Sequence, residues 1–61
     1  MKLFIAQYRN IHNDKTYEVV ISNKKNIGDA REMAWRPTLF NMAIENMGCW
    51  EDEVRVKVIE K

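Results

Sequence analysis

Two residues in the chain combine nucleophilic or soft-ligand chemistry with the right type, His12 and Cys49. A thiolate–imidazole pair can attack a carbonyl, but it needs a third orienting group and a cleft, which a chain of 61 residues can hardly build. Neither residue has a further ligand at the spacing of a structural zinc site, so no metal is expected. The plainer reading is a solvated histidine and a thiol packed near a helix end. Glu51-Asp52-Glu53 is a run of three acids. It could hold a cation or imitate phosphate charge toward a basic partner, although a run this short is more often a solvated connection. Lys24 and Lys25, with Arg31 beyond them, form a modest basic cluster near an expected helix start, where a phosphate could sit. No glycine-rich loop accompanies it, since Gly28 stands alone.

Two further constellations bear on binding rather than catalysis. If Leu3 and Ile5 face a core, Phe4 and Tyr8 face outward in a layer with Val20, Arg55 and Lys57. Aromatics flanked by cations on an open sheet stack the bases of single-stranded nucleic acid. The opposite register, with Phe4, Ala6 and Tyr8 as core, is equally compatible with the pattern. The second constellation lies on a helix. Ala30, Met33, Pro37, Phe40, Ile44 and Met47 recur at steps of three and four, as one apolar stripe. Trp35, Leu39 and Met42 fall on nearly the opposite side at about 100° per residue, with Arg31 and Arg36 at the margins. A helix that rests one face on a sheet should turn a polar back to water. Tryptophan with arginine at its rim is instead the composition of an interface hot spot. The bland alternative is that a break at Pro37 rotates part of this set into the core, and Trp50 could fold back over some of it.

The elements that must position these groups follow from the patterning. Lys2–Arg9 and Thr16–Ser22 are strand-forming runs, the second with Tyr17, Val19 and Ile21 on one face. Between them Asn13 and Asp14 can adopt left-handed or Asx-turn geometry, which makes an antiparallel hairpin. Asp29 with Glu32 three residues on is a capping-box variant and marks a helix start. Gly48 suits the left-handed position past its end. Pro37 removes a hydrogen bond and disfavours α geometry at Arg36, so the helix is kinked there or broken into two abutting pieces. Val54, Val56 and Val58 alternate with Glu53, Arg55 and Lys57 as a last strand. The order is β-β-α-β. The expected fold is an α+β two-layer sandwich, a three-stranded sheet covered by one helix kinked or broken at Pro37. If the third strand joins the first, a crossover that returns the chain to the same end would make that pair parallel.

Length and composition narrow the function. Sixty-one residues make one small domain. A hydrophobic fraction of 46% with six aromatics is enough for a core and argues against a disordered chain. Ten Lys and Arg against nine Asp and Glu leave a net charge of +1, which lowers the case for a phosphate-binding protein and gives little protection from self-association. One cysteine forbids an internal disulfide, and no apolar stretch approaches the roughly 20 residues that span a bilayer. The apolar run after Met1 stops at Gln7, short of a secretory signal, so a cytoplasmic protein is expected. Opening on Met1 and rich in Lys, Asn and Ile, the chain has the look of a complete short bacteriophage or bacterial gene product. The function expected is non-catalytic and cofactor-free: an accessory module that binds a host protein, inhibiting or redirecting it, or binds a second copy of itself. The alternative is a nucleic-acid-binding regulator using the sheet face and the basic loop.

Overall fold

The computed structural model describes residues 2–61; Met1, with which the sequence opens, lies outside the described residues. Strand β1 (Phe4–Asn10) pairs antiparallel with β2 (Thr16–Ile21), then come helices α1 (Ile27–Ala34) and α2 (Pro37–Met47), a 3-10 turn at Glu51–Glu53, and β3 (Val54–Glu60). The sheet order is β2-β1-β3, with the helices forming the second layer, an α+β sandwich. Every neighbour pair is antiparallel, β3 with β1 included. The reason lies in where the helical layer delivers the chain. It leaves β2 at Ile21, beside Phe4, and re-enters the sheet at Val54, beside Asn10, so it crosses from one end of the sheet to the other. The crossover therefore joins β2 to β3, which run parallel with β1 between them, and the parallel β1–β3 pair does not arise.

The register of β1 resolves in favour of the even-numbered positions. Phe4, Ala6 and Tyr8 are completely buried, joined by Ile21, Val54 and Val58, with Tyr17, Val19 and Val56 packed around them. An outward face carrying Phe4 and Tyr8 is thus corrected: both rings are core, and Ile5, Gln7 and Arg9 look the other way. Period-2 alternation alone cannot distinguish the two faces of a central strand with apolar residues on both. Tyr8 can be buried because its hydroxyl has an acceptor, the Ala34 carbonyl at 2.6 Å. Burial, and secondly the like charge that Tyr17 would carry when ionised, raise its pKa above the ordinary tyrosine value.

The hairpin turn is organised by Asn10, the one polar residue among the buried ones described. Its Oδ1 accepts from the His12 N–H at 2.8 Å, and its own N–H donates to the Lys15 carbonyl at 2.9 Å. Asp14 takes the left-handed conformation (φ 59°) and pairs with Arg9.

Helix α1 starts two residues before the expected Asp29. Asn26 is the cap, accepting the Asp29 N–H at 2.9 Å, while its amide reaches the Asp29 carboxylate at 3.3 Å. Asp29 is thus the third helical residue, held at its N–H and its carboxylate by the Asn26 side chain, and not itself the cap. Of the two expected forms, kinked or broken at Pro37, the broken one is observed, as two abutting helices. Trp35 ends α1, Arg36 is extended (φ −66°, ψ 145°), and Pro37 opens α2, where its missing N–H has no helical partner to lose. Pro37 is consequently exposed, not part of the buried stripe. Gly48 closes α2 at φ 65°. The deepest helix positions are Ala30, Ala34 and Ala43, all fully buried, with Met47 behind them. Small side chains there let the helix backbones approach the sheet, while Met33, Phe40 and Ile44 fill the margins.

Candidate protein-binding site

The break between the helices builds the most distinctive surface. Pro37 disfavours α geometry at Arg36, and the last turn of α1 closes on itself: the Trp35 N–H donates to the Arg31 and Glu32 carbonyls and the Arg36 N–H to the Met33 carbonyl. The Ala34 carbonyl is left over and accepts from Tyr8. Helix α2 then sets off in a new direction, its first bond running from the Phe40 N–H to the Arg36 carbonyl at 2.9 Å.

This geometry holds Trp35 on the outside against a rigid support. Its indole stacks on Phe40, with ring centroids 5.5 Å apart and planes 19° from parallel. Phe40 meets Tyr8 edge-on at 6.2 Å, and Tyr8 leans on Tyr17 at 6.5 Å. A continuous aromatic ladder therefore runs from the core to the surface, yet Trp35 remains 58% exposed. A shallow groove beside it is lined by Trp35, Pro37, Phe40, Asn41, Glu51 and Asp52. On the other flank Trp35 shares a depression with Ile11, Val54 and Val56.

The residues singled out from the sequence are not all brought together. Leu39 turns from the expected exposed face toward β2, packing against the core and sharing a cleft with Met33, Val19 and Ile21. The rotation introduced at Pro37 separates it from Trp35. Met42 is exposed but lines neither cleft, and its carbonyl accepts the Asn46 amide. Arg36 stays near the groove and reaches Glu32 at 3.5 Å one turn back, while Arg31 is exposed on α1. Trp50 does not fold over the patch and is 78% exposed. Sequence reasoning missed Phe40 as the floor under Trp35 and missed the role of the acids. Glu53 is structural: its carboxylate accepts the Trp50 N–H at 2.9 Å and lies 3.3 Å from the His12 imidazole. Glu51 and Asp52 rim the groove.

The nucleic-acid constellation is dismantled by the register. With Phe4 and Tyr8 buried, the open face retains cations but no aromatic platform; Arg55 and Lys57 stand on it beside Arg9, which Asp14 already engages. Lys24 and Lys25 lie in the loop before α1, the first partly buried, the second exposed, and the Asn26 side chain already accepts the Asp29 N–H at the helix start. Cys49 is packed on the core margin, and the His12 imidazole lies against Glu53. Among the described residues no three metal-ligating side chains converge, and no helix is long and apolar enough to cross a membrane. Compared with known proteins, the chain has no significant match to a family model, a curated protein or a solved structure.

Proposed function

We propose that this protein is a non-catalytic binding module that docks on another protein through the groove beside Trp35. The observation that carries the reading is an indole 58% exposed yet fixed by stacking on Phe40. A rigid, preorganised aromatic loses little freedom on binding, which is the property of an interface anchor. The groove is apolar at Trp35, Pro37 and Phe40 and acidic at Glu51 and Asp52. That combination suits a partner side chain with an apolar stem and a cationic head, laid across the indole. A module of this kind acts stoichiometrically, blocking or redirecting its partner in the cytoplasm, where Cys49 stays reduced.

The test is affinity capture with wild type and Trp35→Ala, followed by calorimetry on the protein recovered. The reading expects an interaction that survives about 0.5 M salt and weakens by about 2 kcal/mol or more, roughly thirtyfold, in Trp35→Ala. Binding to nucleic acid that falls steeply with salt, is lost in Lys24→Glu or Arg55→Glu and ignores Trp35→Ala would refute it.

A further inference from the structure

The sheet has a second face, and among the described residues no element covers it. Since Phe4, Ala6 and Tyr8 point to the helices, Ile5, Gln7 and Arg9 point away, and the register orders their neighbours into three rungs. Val20, Ile5 and Ile59 form an apolar rung, Glu18, Gln7 and Lys57 a charged one, and Thr16, Arg9 and Arg55 the last. Leu3 extends the apolar end, beside Lys61. Val20 is 61% exposed and Leu3 37%.

We propose that this face is where a second copy of the chain docks, sheet against sheet, about a two-fold axis parallel to the strands. The distribution of charge selects both the occupant and the axis. A rotation about the line of β1 places β2 of one copy over β3 of the other while keeping each rung on its counterpart. Val20 then meets Ile59 of the second copy, and Ile5 meets Ile5 at the axis. Glu18 meets Lys57 of the second copy, and the reverse contact forms on the opposite side. Gln7 Nε2 donates to Glu18 at 2.7 Å within each copy, and the two Gln7 amides face each other at the axis, where each still has its second N–H to donate and its oxygen to accept. An axis along the rungs through Ile5 would instead set Lys57 over Lys61 and Gln7 over Leu3, opposing like charge and burying an amide on an aliphatic chain. The face is thus self-complementary in one orientation, as an isologous interface requires. Arg9 lies two rungs from Ile5, about 14 Å along the strand. Packed twisted sheets diverge at that distance, so Arg9 stays with Asp14 in water. Such a dimer points both Trp35 grooves outward, so the inference stands independently of what they bind.

Sedimentation velocity of the full chain from about 10 μM to about 1 mM tests it by mass action. Wild type should pass from the 7.3 kDa monomer to twice that mass. Val20→Lys should weaken the dimer by about tenfold or more. Glu18→Lys and Lys57→Glu should each weaken it, and the double exchange should restore it, with circular dichroism confirming that every variant is folded. Trp35→Ala should leave it unchanged. A wild type that stays monomeric throughout, a dimer indifferent to Val20→Lys, a charge exchange that fails to rescue, or loss of the dimer in Trp35→Ala would each overturn the proposal.

Discussion

Replacing Tyr8 by phenylalanine removes one oxygen atom and tests whether the sheet holds the helix break in place. The hydroxyl lies 2.6 Å from the Ala34 carbonyl, and both residues are fully buried. Among the described residues no backbone N–H reaches that carbonyl across the Trp35–Arg36 break. Removing the donor leaves a buried carbonyl without a partner, which costs about 1–3 kcal/mol, so a loss of about 2 kcal/mol is expected. For a domain of about 60 residues each kcal/mol moves Tm by roughly 8 °C, so the loss should be about 15 °C. The pH dependence supplies a second readout. Tyr8 has its pKa raised by burial first and by Tyr17 second, so the folded state prefers the neutral hydroxyl that donates to Ala34. That contribution is complete below the unfolded tyrosine pKa of about 10 and declines as pH rises from there through the higher folded value. Thermal melts between pH 8 and 11.5 should show an alkaline decline that is shallower in Tyr8→Phe. A Tm loss below about 3 °C with an unchanged alkaline limb would refute the argument.

Three further outcomes follow from the helix ends and the turn, each measurable by urea denaturation. Gly48→Ala places a side chain at φ 65° with nothing within 4 Å of the new carbon, so strain alone should cost about 1 kcal/mol. Asn26→Ala removes the cap on the Asp29 N–H and should cost about 1 kcal/mol, whereas Asp29→Asn, which keeps that bond, should cost less. Arg36→Asp should stabilise by about 0.5–1 kcal/mol, because Arg36 has the extended geometry of a cap position but caps nothing, and its exposed pair with Glu32 is worth little.

The sheet was largely legible in the sequence because alternation is a strong signal at its edges. Tyr17, Val19 and Ile21, and Val54, Val56 and Val58, face the helices as their spacing requires. In β1 the same rule is silent, since Leu3 and Ile5 are as apolar as Phe4 and Ala6, and only packing decides. The helices were legible as helical and as interrupted at Pro37, and Gly48 ends α2 as expected. Their buried faces were not, for two reasons. Alanine carries little hydrophobic signal, so Ala34 and Ala43 escaped a stripe built on large residues, although close helix–sheet approach depends on them. A continuous stripe also presumes one helix axis, and the turn at Arg36 gives α2 a new one. The same change separates Leu39 from Trp35. The candidate site was therefore legible in its anchor and not in its walls: Glu51 and Asp52 reach the groove through a chain reversal after Gly48 that no local pattern encodes.

The central claim, that the Trp35 groove recognises a protein side chain with an apolar stem and a cationic head, is tested most directly by peptide selection. A random peptide library is panned on the full-length protein, with Trp35→Ala as the counter-selection target and circular dichroism as the fold control. The account predicts enriched peptides that share a lysine or arginine next to aliphatic or aromatic residues. They should bind wild type at least about tenfold more tightly than Trp35→Ala and lose affinity when Glu51 and Asp52 are both replaced by their amides. Peptides without a shared basic residue, or binding unchanged in a folded Trp35→Ala, would contradict it.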